Sequence, residues 1–234
     1  MSKKPIVLVP GFWLGGWAWD EVSADLESRG HPVTAVTLPG LESVDTDRSG
    51  ITFEDHVSAV VDAVKTADGQ VVLAVHSGAG GVGYEVSDRV PERIAALVYV
   101  DSGAASGPLD PDFEGVELPF PGIEKLSEEE NLEGVSEEKL AEFESRAVPE
   151  PAGALRGGPS PSNEKRLDVK SVVIATAFTA DQYRDAVSEG YTFLADLALL
   201  RDLTYIDLPT SHWPMWSKPA ELADALAGIA DGHD

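Results

Sequence analysis

Two stretches far apart in the chain carry side chains that could do chemistry together. The first is Val71-Val72-Leu73-Ala74-Val75-His76-Ser77-Gly78-Ala79-Gly80-Gly81, an apolar, β-branched run that stops at a serine and continues in small residues. A strand–turn–helix presents a hydroxyl at the end of a parallel sheet in this way. The turn is too tight for bulky side chains, so glycine and alanine surround the serine. The helix that follows would aim its N-terminal N–H groups and positive dipole at the reacting centre. The second stretch, Leu208-Pro209-Thr210-Ser211-His212-Trp213-Pro214, offers an imidazole in the loop after a last short strand. A serine hydroxyl is a poor nucleophile at neutral pH and needs an adjacent base. Of the five histidines, His212 suits that role best. His76 precedes Ser77 and should point away from the site, His31 opens a strand, His56 lies in a helix and His233 is in the tail. The chemistry implied is attack by Ser77 on a carbonyl carbon, with His212 carrying the proton.

These side chains can meet only on a scaffold that brings both strand ends to one edge. Strand and helix patterns alternate through most of the chain, the signature of an α/β fold with a mostly parallel sheet. Residues 6–9 form a short buried strand. Residues 17–29 have helical spacing through Trp17, Val22 and Leu26, stopped by Gly30, and 33–38 form a strand ended by Pro39-Gly40. Thr52 caps a helix over 53–65, with Asp55 near its start. Residues 71–75 are the nucleophile strand and 78–89 the helix after it. Residues 94–100 are almost continuously apolar, as a buried central strand should be. The rhythm then breaks from about 103 to 168, where no strand is clear and proline and glycine cluster at both flanks. A short amphipathic helix begins there at Ser136 and runs to Phe143. An insert of this size belongs in a compact domain only if it serves function. We read 104–168 as a cap or lid over a core made of 1–103 and 169–234, a disordered acidic linker being the alternative. Alternation resumes with a strand at 171–177, helical stretches at 179–188 and 191–200, a strand at 203–208 and a closing helix at 219–229.

Composition narrows the partners. The 234 residues, 43% hydrophobic and 25% charged, describe a soluble globular protein with a large core. The formal charge of −24 argues against nucleic acid or an anionic membrane, both of which need basic patches. Solubility accounts for the acidity, with adaptation to high salt as the alternative. Much of the excess lies between Asp110 and Glu150. The start of the chain, from Met1, has too short an apolar run for a signal peptide, and no stretch approaches a membrane span. With no cysteine there is no disulfide or thiolate site. A cytoplasmic location is the default, and a homodimer is left open.

Three segments resemble the α/β-hydrolase family, and more narrowly its small plant-type branch of methyl esterases and hydroxynitrile lyases. They are Val9-Pro10-Gly11-Phe12-Trp13-Leu14-Gly15-Gly16-Trp17-Ala18-Trp19, the bend at Ser77, and His212-Trp213-Pro214-Met215-Trp216-Ser217-Lys218-Pro219. The resemblance implies an α/β-hydrolase fold, with Ser77 as nucleophile and His212 as base. An oxyanion hole would be built from the N–H groups of Phe12 and Gly78. It places the acid of the triad after the strand 171–177, where Asp181 is the nearest match. Yet Thr179-Ala180-Asp181-Gln182 also reads as a capping box, which puts Asp181 in an ordinary first helical turn. Asp101 follows the strand 94–100, and some α/β-hydrolases draw their acid from there. Both aspartates therefore stand as candidates. Val75 departs from the family, which usually has glycine two residues before the serine, so Ala79, Gly80 and Gly81 are expected to provide room. Among the nearby aromatics, Trp13 and Trp213 are the candidates for touching substrate, against the commoner fate of core packing.

The function implied is that of a cofactor-free carboxylic ester hydrolase. It would act on a small to medium neutral ester, since an acidic cap repels anions. No histidine or carboxylate cluster has metal-ligand spacing. Three alternatives share the fold. One is a cyanohydrin lyase, although those enzymes carry lysine where this chain has Trp213. The others are a cofactor-free dioxygenase and a non-catalytic small-molecule receptor.

Overall fold

Successive residues of a strand face opposite sides of its sheet, so a strand apolar at every position needs cover on both faces. The computed structural model, which describes residues 3–232, shows such a sheet; Met1 and His233 lie outside the described residues. In chain order, β1 (Ile6–Val9), α1 (Asp20–Ser28), β2 (Val33–Ala35), α2 (Phe53–Thr66), β3 (Val71–His76), α3 (Gly80–Arg89) and β4 (Ile94–Val100) alternate. The interrupting segment holds β5 (Glu117–Leu118), α4 (Ile123–Glu129), α5 (Glu137–Arg146), β6 (Glu150–Pro151) and α6 (Ala152–Arg156). The chain closes with β7 (Ser171–Ala175), α7 (Ala180–Ser188), β8 (Leu203–Asp207), α8 (Pro214–Ser217) and α9 (Pro219–Asp231).

Six strands form one sheet in the order β2-β1-β3-β4-β7-β8, all neighbours parallel. Odd-numbered residues of β3 (Val71, Leu73, Val75) join one core with Val57, Val60 and Val64 of α2. Even-numbered ones (Val72, Ala74) join the other with Val22 and Leu26 of α1 and Leu222 and Leu226 of α9. From β1 the chain goes out to β2, then crosses back past β1 to β3. The loops leaving the carboxyl ends of β1 and β3 thus part to opposite sides, and ligands bind open α/β sheets at such a crevice.

Most boundaries follow the sequence pattern, and the departures have local causes. The stretch 191–200 forms a 3₁₀ helix, Thr192–Leu199. Leu194, Leu197 and Leu200 pack against the core at intervals of three, which matches the 3₁₀ repeat rather than the α repeat. The interrupting segment is folded, so the linker alternative does not hold. Its β5 and β6 pair antiparallel through only two residues each, too few to leave a strand pattern. Ser136 caps α5 by accepting from the Lys139 N–H at 3.2 Å, and buried Phe143 anchors that helix against Trp213 and Trp216. Among the described residues no helix is long and apolar enough to cross a membrane.

Candidate active site

The sheet register sets two of the site residues side by side. β3 and β4 pair Val75 with Tyr99 and His76 with Val100, so the next residues along, Ser77 and Asp101, leave the sheet together. Both turn away with positive φ, 50° at Ser77 and 43° at Asp101, and Trp13 beyond β1 has φ 65°. A left-handed non-glycine residue costs on the order of 1–3 kcal/mol and persists only where its surroundings hold it. Here Ser102 Oγ–H donates to the Ser77 carbonyl at 2.6 Å, and the Asp101 N–H donates to Ile174 on β7 at 2.9 Å. Among the described residues these are the three non-glycine residues with positive φ, and all lie at the carboxyl edge of adjoining strands.

Glycines admit the close approaches that the bend requires. A Cβ on Gly11 would stand 2.9 Å from Ser77 Cβ, so only glycine lets the loop after β1 close over Ser77. Val75 is accommodated by Gly83, one turn into α3, where an added Cβ would fall 2.7 Å from Val75 Cγ1. The room expected from Ala79, Gly80 and Gly81 comes from elsewhere, because Gly80 faces Ser102 and Gly103, and Gly81 faces Pro159. Gly83→Ala is expected to destabilise the fold by about 1–3 kcal/mol through overpacking. Val75→Ala alone should also destabilise, by opening a cavity, but in its background the added cost of Gly83→Ala should largely vanish, which thermal denaturation of the single and double variants would read.

His212 reaches the bend from the loop after β8. Its Nε2 lies 2.8 Å from Ser77 Oγ and its Nδ1 2.6 Å from Asp101 Oδ2. The other carboxylate oxygen, Oδ1, accepts from the N–H groups of Thr176 and Ala177 and from the Tyr183 hydroxyl, each at 3.2 Å. Burial alone would raise the Asp101 pKa, but the His212 hydrogen bond and charge, with the Thr176 N–H and His76 adding, hold it below the ordinary value. Burial would likewise lower the His212 pKa; the Asp101 hydrogen bond and charge, with Glu130 adding, outweigh it and raise the imidazole above 6.5. His212 is a base only when unprotonated, so kcat/KM should climb with pH through an inflection above about 6.5, the ordinary histidine value. Glu130 Oε2 lies 4.0 Å from His212 Nδ1, so Glu130→Gln should move that inflection to lower pH. An unmoved inflection would remove Glu130 from the electrostatics of the site.

Of the two candidate aspartates, the structure brings Asp101 to His212 and leaves Asp181 apart. Asp181 sits in the first turn of α7, exposed and paired with Arg184 at 2.7 Å. Thr179 and Gln182 close the capping box, which turns the Asp181 carboxylate outward. Of the loop after β7, it is backbone N–H groups that reach the site, and they serve Asp101. Phe12 and Gly78 adjoin, the Phe12 ring lying where a Cβ on Gly78 would be. Trp13 and Trp213 both line the cavity at the bend, but Trp213 is buried in the core between Phe143 and Trp216.

His76 corrects the expectation that it faces away. Its ring centroid is 4.9 Å from that of His212, and its Nε2–H donates to the His212 carbonyl at 2.6 Å. Burial, with His212 adding, drives its pKa to about 3, so it stays neutral and holds the His212 loop. Sequence reasoning missed Tyr183, Ser102 and Glu130 altogether. It placed His56 in a helix without seeing that His56 and Glu150 line the same cavity. That cavity, about 810 Å³, opens over Ser77 and is walled by the loop after β1, by α3 and by parts of the interrupting segment. Among the described residues no three histidine or carboxylate side chains group as metal ligands do.

A bent serine, a histidine and a buried aspartate at the carboxyl edge of a parallel sheet define an α/β-hydrolase site. The alpha/beta hydrolase family model matches residues 6–225, and the chain belongs to that family. It is 27% identical to "Methylesterase 7" of Arabidopsis thaliana, over 99% of this chain and 98% of that protein. To the "Pyrethroid hydrolase" of Sphingobium wenxiniae it is 24% identical, over 99% and 89%. Among solved structures, a methylesterase from Arabidopsis superimposes with a TM-score of 0.78 at 18% identity, covering 98% of this chain and 99% of that one.

Proposed function

We propose that this carboxylic ester hydrolase works through an acyl-enzyme on Ser77. The chain of contacts Asp101–His212–Ser77, at 2.6 and 2.8 Å and opening into the large cavity, is the observation that carries the reading. As Ser77 Oγ attacks the ester carbonyl, its proton passes to His212 Nε2. The Nδ1–H of the imidazolium stays hydrogen-bonded to Asp101, which stabilises the positive charge without taking the proton. The N–H groups of Phe12 and Gly78 receive the negative charge that develops on the carbonyl oxygen. His212 then returns its proton to the departing alkoxide, and the alcohol leaves. Water attacks the acyl-enzyme with the same histidine as base and releases the acid.

The substrate is a neutral ester. Glu129, Glu130, Asp185 and Glu189 around the cavity oppose a free carboxylate on the ligand, and the relatives called methylesterase and pyrethroid hydrolase support an ester with a small or an apolar alcohol arm. Residues 104–168 act as a cap, since Leu126, Glu130, Glu150 and Pro159 stand in the cavity wall. A cytoplasmic location belongs to this reading. A panel of methyl and p-nitrophenyl esters of graded acyl length tests it. Turnover of neutral esters, with their mono-acid counterparts at least about tenfold slower, is the expected result. Folded protein that turns over none of them would overturn the reading.

A further inference from the structure

Two buried polar side chains in the cavity take no part in the acyl transfer. Glu150, on β6, and His56, on α2, are each 1% exposed, and both line the cavity. Glu150 Oε2 accepts from the Trp13 N–H at 3.4 Å, one residue beyond the oxyanion donor proposed at Phe12. His56 Nε2 lies 2.9 Å from the Pro39 carbonyl; a carbonyl only accepts, so the proton is on Nε2 and Nδ1 carries a lone pair. That leaves Glu150 Oε1 and His56 Nδ1 facing one another at 3.9 Å. The distance is too long for a direct hydrogen bond, and one oxygen can bridge it with two bonds of about 2.8 Å.

The protonation of the pair makes the bridge selective. Burial pushes the Glu150 pKa up to about 8 against the pull of the Trp13 N–H and of Arg48. Burial also lowers the His56 pKa, despite the Pro39 carbonyl, Asp55 and Glu42. At neutral pH both groups are therefore uncharged, and the contact is not an ion pair. Glu150 Oε1–H is then a donor and His56 Nδ1 an acceptor. The titratable groups that face Glu150 are the neutral His56 from α2 and the charged Arg48 from the loop before it, and Arg48 is engaged with Glu117 at 3.2 Å.

We propose that Glu150 and His56 form a hydroxyl-binding subsite in the cavity wall, so that the preferred ester carries an alcohol group. A hydroxyl can accept from the one atom and donate to the other through a single oxygen. A site built to bond a hydroxyl discriminates strongly against the analogue lacking it, because its own buried groups are left unpaired. That the ligand is an ester rests on the acyl-transfer reading above; the subsite itself does not.

Binding and turnover separate the two. Methyl 2-hydroxyhexanoate, methyl 3-hydroxyhexanoate and methyl hexanoate would be titrated into Ser77→Ala protein, with the fluorescence of Trp13 and Trp213 as readout. One of the hydroxy esters should bind at least about tenfold more tightly than methyl hexanoate. With Glu150→Leu added, that ratio should fall to near one. With Glu150→Gln added it should persist, since the amide oxygen accepts from Trp13 and the NH₂ takes the donor position. Should the leucine variant fail to fold, a third measurement needs no change at Glu150. The ratio should drop severalfold between pH 7 and pH 9.5 as the carboxyl ionises, and stay flat in the glutamine variant. Equal binding of the three esters, or a preference untouched by Glu150→Leu and by pH, would overturn the subsite. Turnover by protein with Ser77 intact reads the other question. Hydrolysis without hydroxyl preference leaves the esterase standing and removes the subsite, while preferential binding without hydrolysis does the reverse.

Discussion

Ser77→Ala is expected to abolish ester hydrolysis, lowering kcat by about 10⁶-fold if the serine and histidine act as one unit. The size of the effect follows from the geometry. Ser77 Oγ is the one atom joined by hydrogen bond to His212 Nε2, so its removal leaves the base with nothing to deprotonate except water. Oxyanion donors and substrate binding remain, and a residue of about 10³–10⁴-fold over water would survive from them. Little stability is at stake: the elbow is held by the Ser77 backbone carbonyl bonded to Ser102, and alanine keeps that contact. Steady-state rates on a p-nitrophenyl ester, with a matched thermal melt, would check it. A variant within tenfold of the parent would remove Ser77 from the chemistry.

Asp101→Asn should cost about 10⁴-fold in kcat, while Asp181→Asn changes the rate by less than about twofold. Asparagine matches aspartate in shape, and its carbonyl can keep the Thr176, Ala177 and Tyr183 donors that now reach Oδ1. Its NH₂ would then face His212 Nδ1, forcing the proton onto Nε2 and making the imidazole a donor toward Ser77. A base in that tautomer cannot accept the serine proton. Asp181 has no such link, being exposed and paired with Arg184; exposed ion pairs contribute at most about 1 kcal/mol. The two variants assayed together give a contrast of about four orders of magnitude. If both behave like the parent, the acid has been misassigned.

What could be read from the sequence was whatever depends on neighbours along the chain. The β-branched run into Ser77, the glycines after it and the position of His212 behind the last strand each show in a few residues. The choice between Asp101 and Asp181 did not, since both follow a strand. The placement that brings Asp101 and not Asp181 to His212 comes from the β3–β4 register, which sets position 101 beside position 77, and from the Thr179 capping box, which turns Asp181 to solvent. Only the second has a local signature, and it was visible as a conflict. Gly83 as the complement of Val75 required knowing which turn of α3 lies over β3. Glu150 was hidden by composition: within an acidic stretch nothing local distinguishes the one carboxyl that β6 carries into the cavity. Its partner His56 looked like any histidine on an amphipathic helix.

A fluorophosphonate reacts with a serine hydroxyl that a base has already activated, and with no ordinary one. Labelling of the whole folded protein followed by peptide mass mapping is therefore the most direct reading of whether hydroxyl and imidazole act together. One phosphonyl group on Ser77, lost in His212→Ala and faster as pH rises through the histidine inflection, is the predicted outcome. Folded protein that stays unlabelled, or carries the label on another residue, would contradict the account.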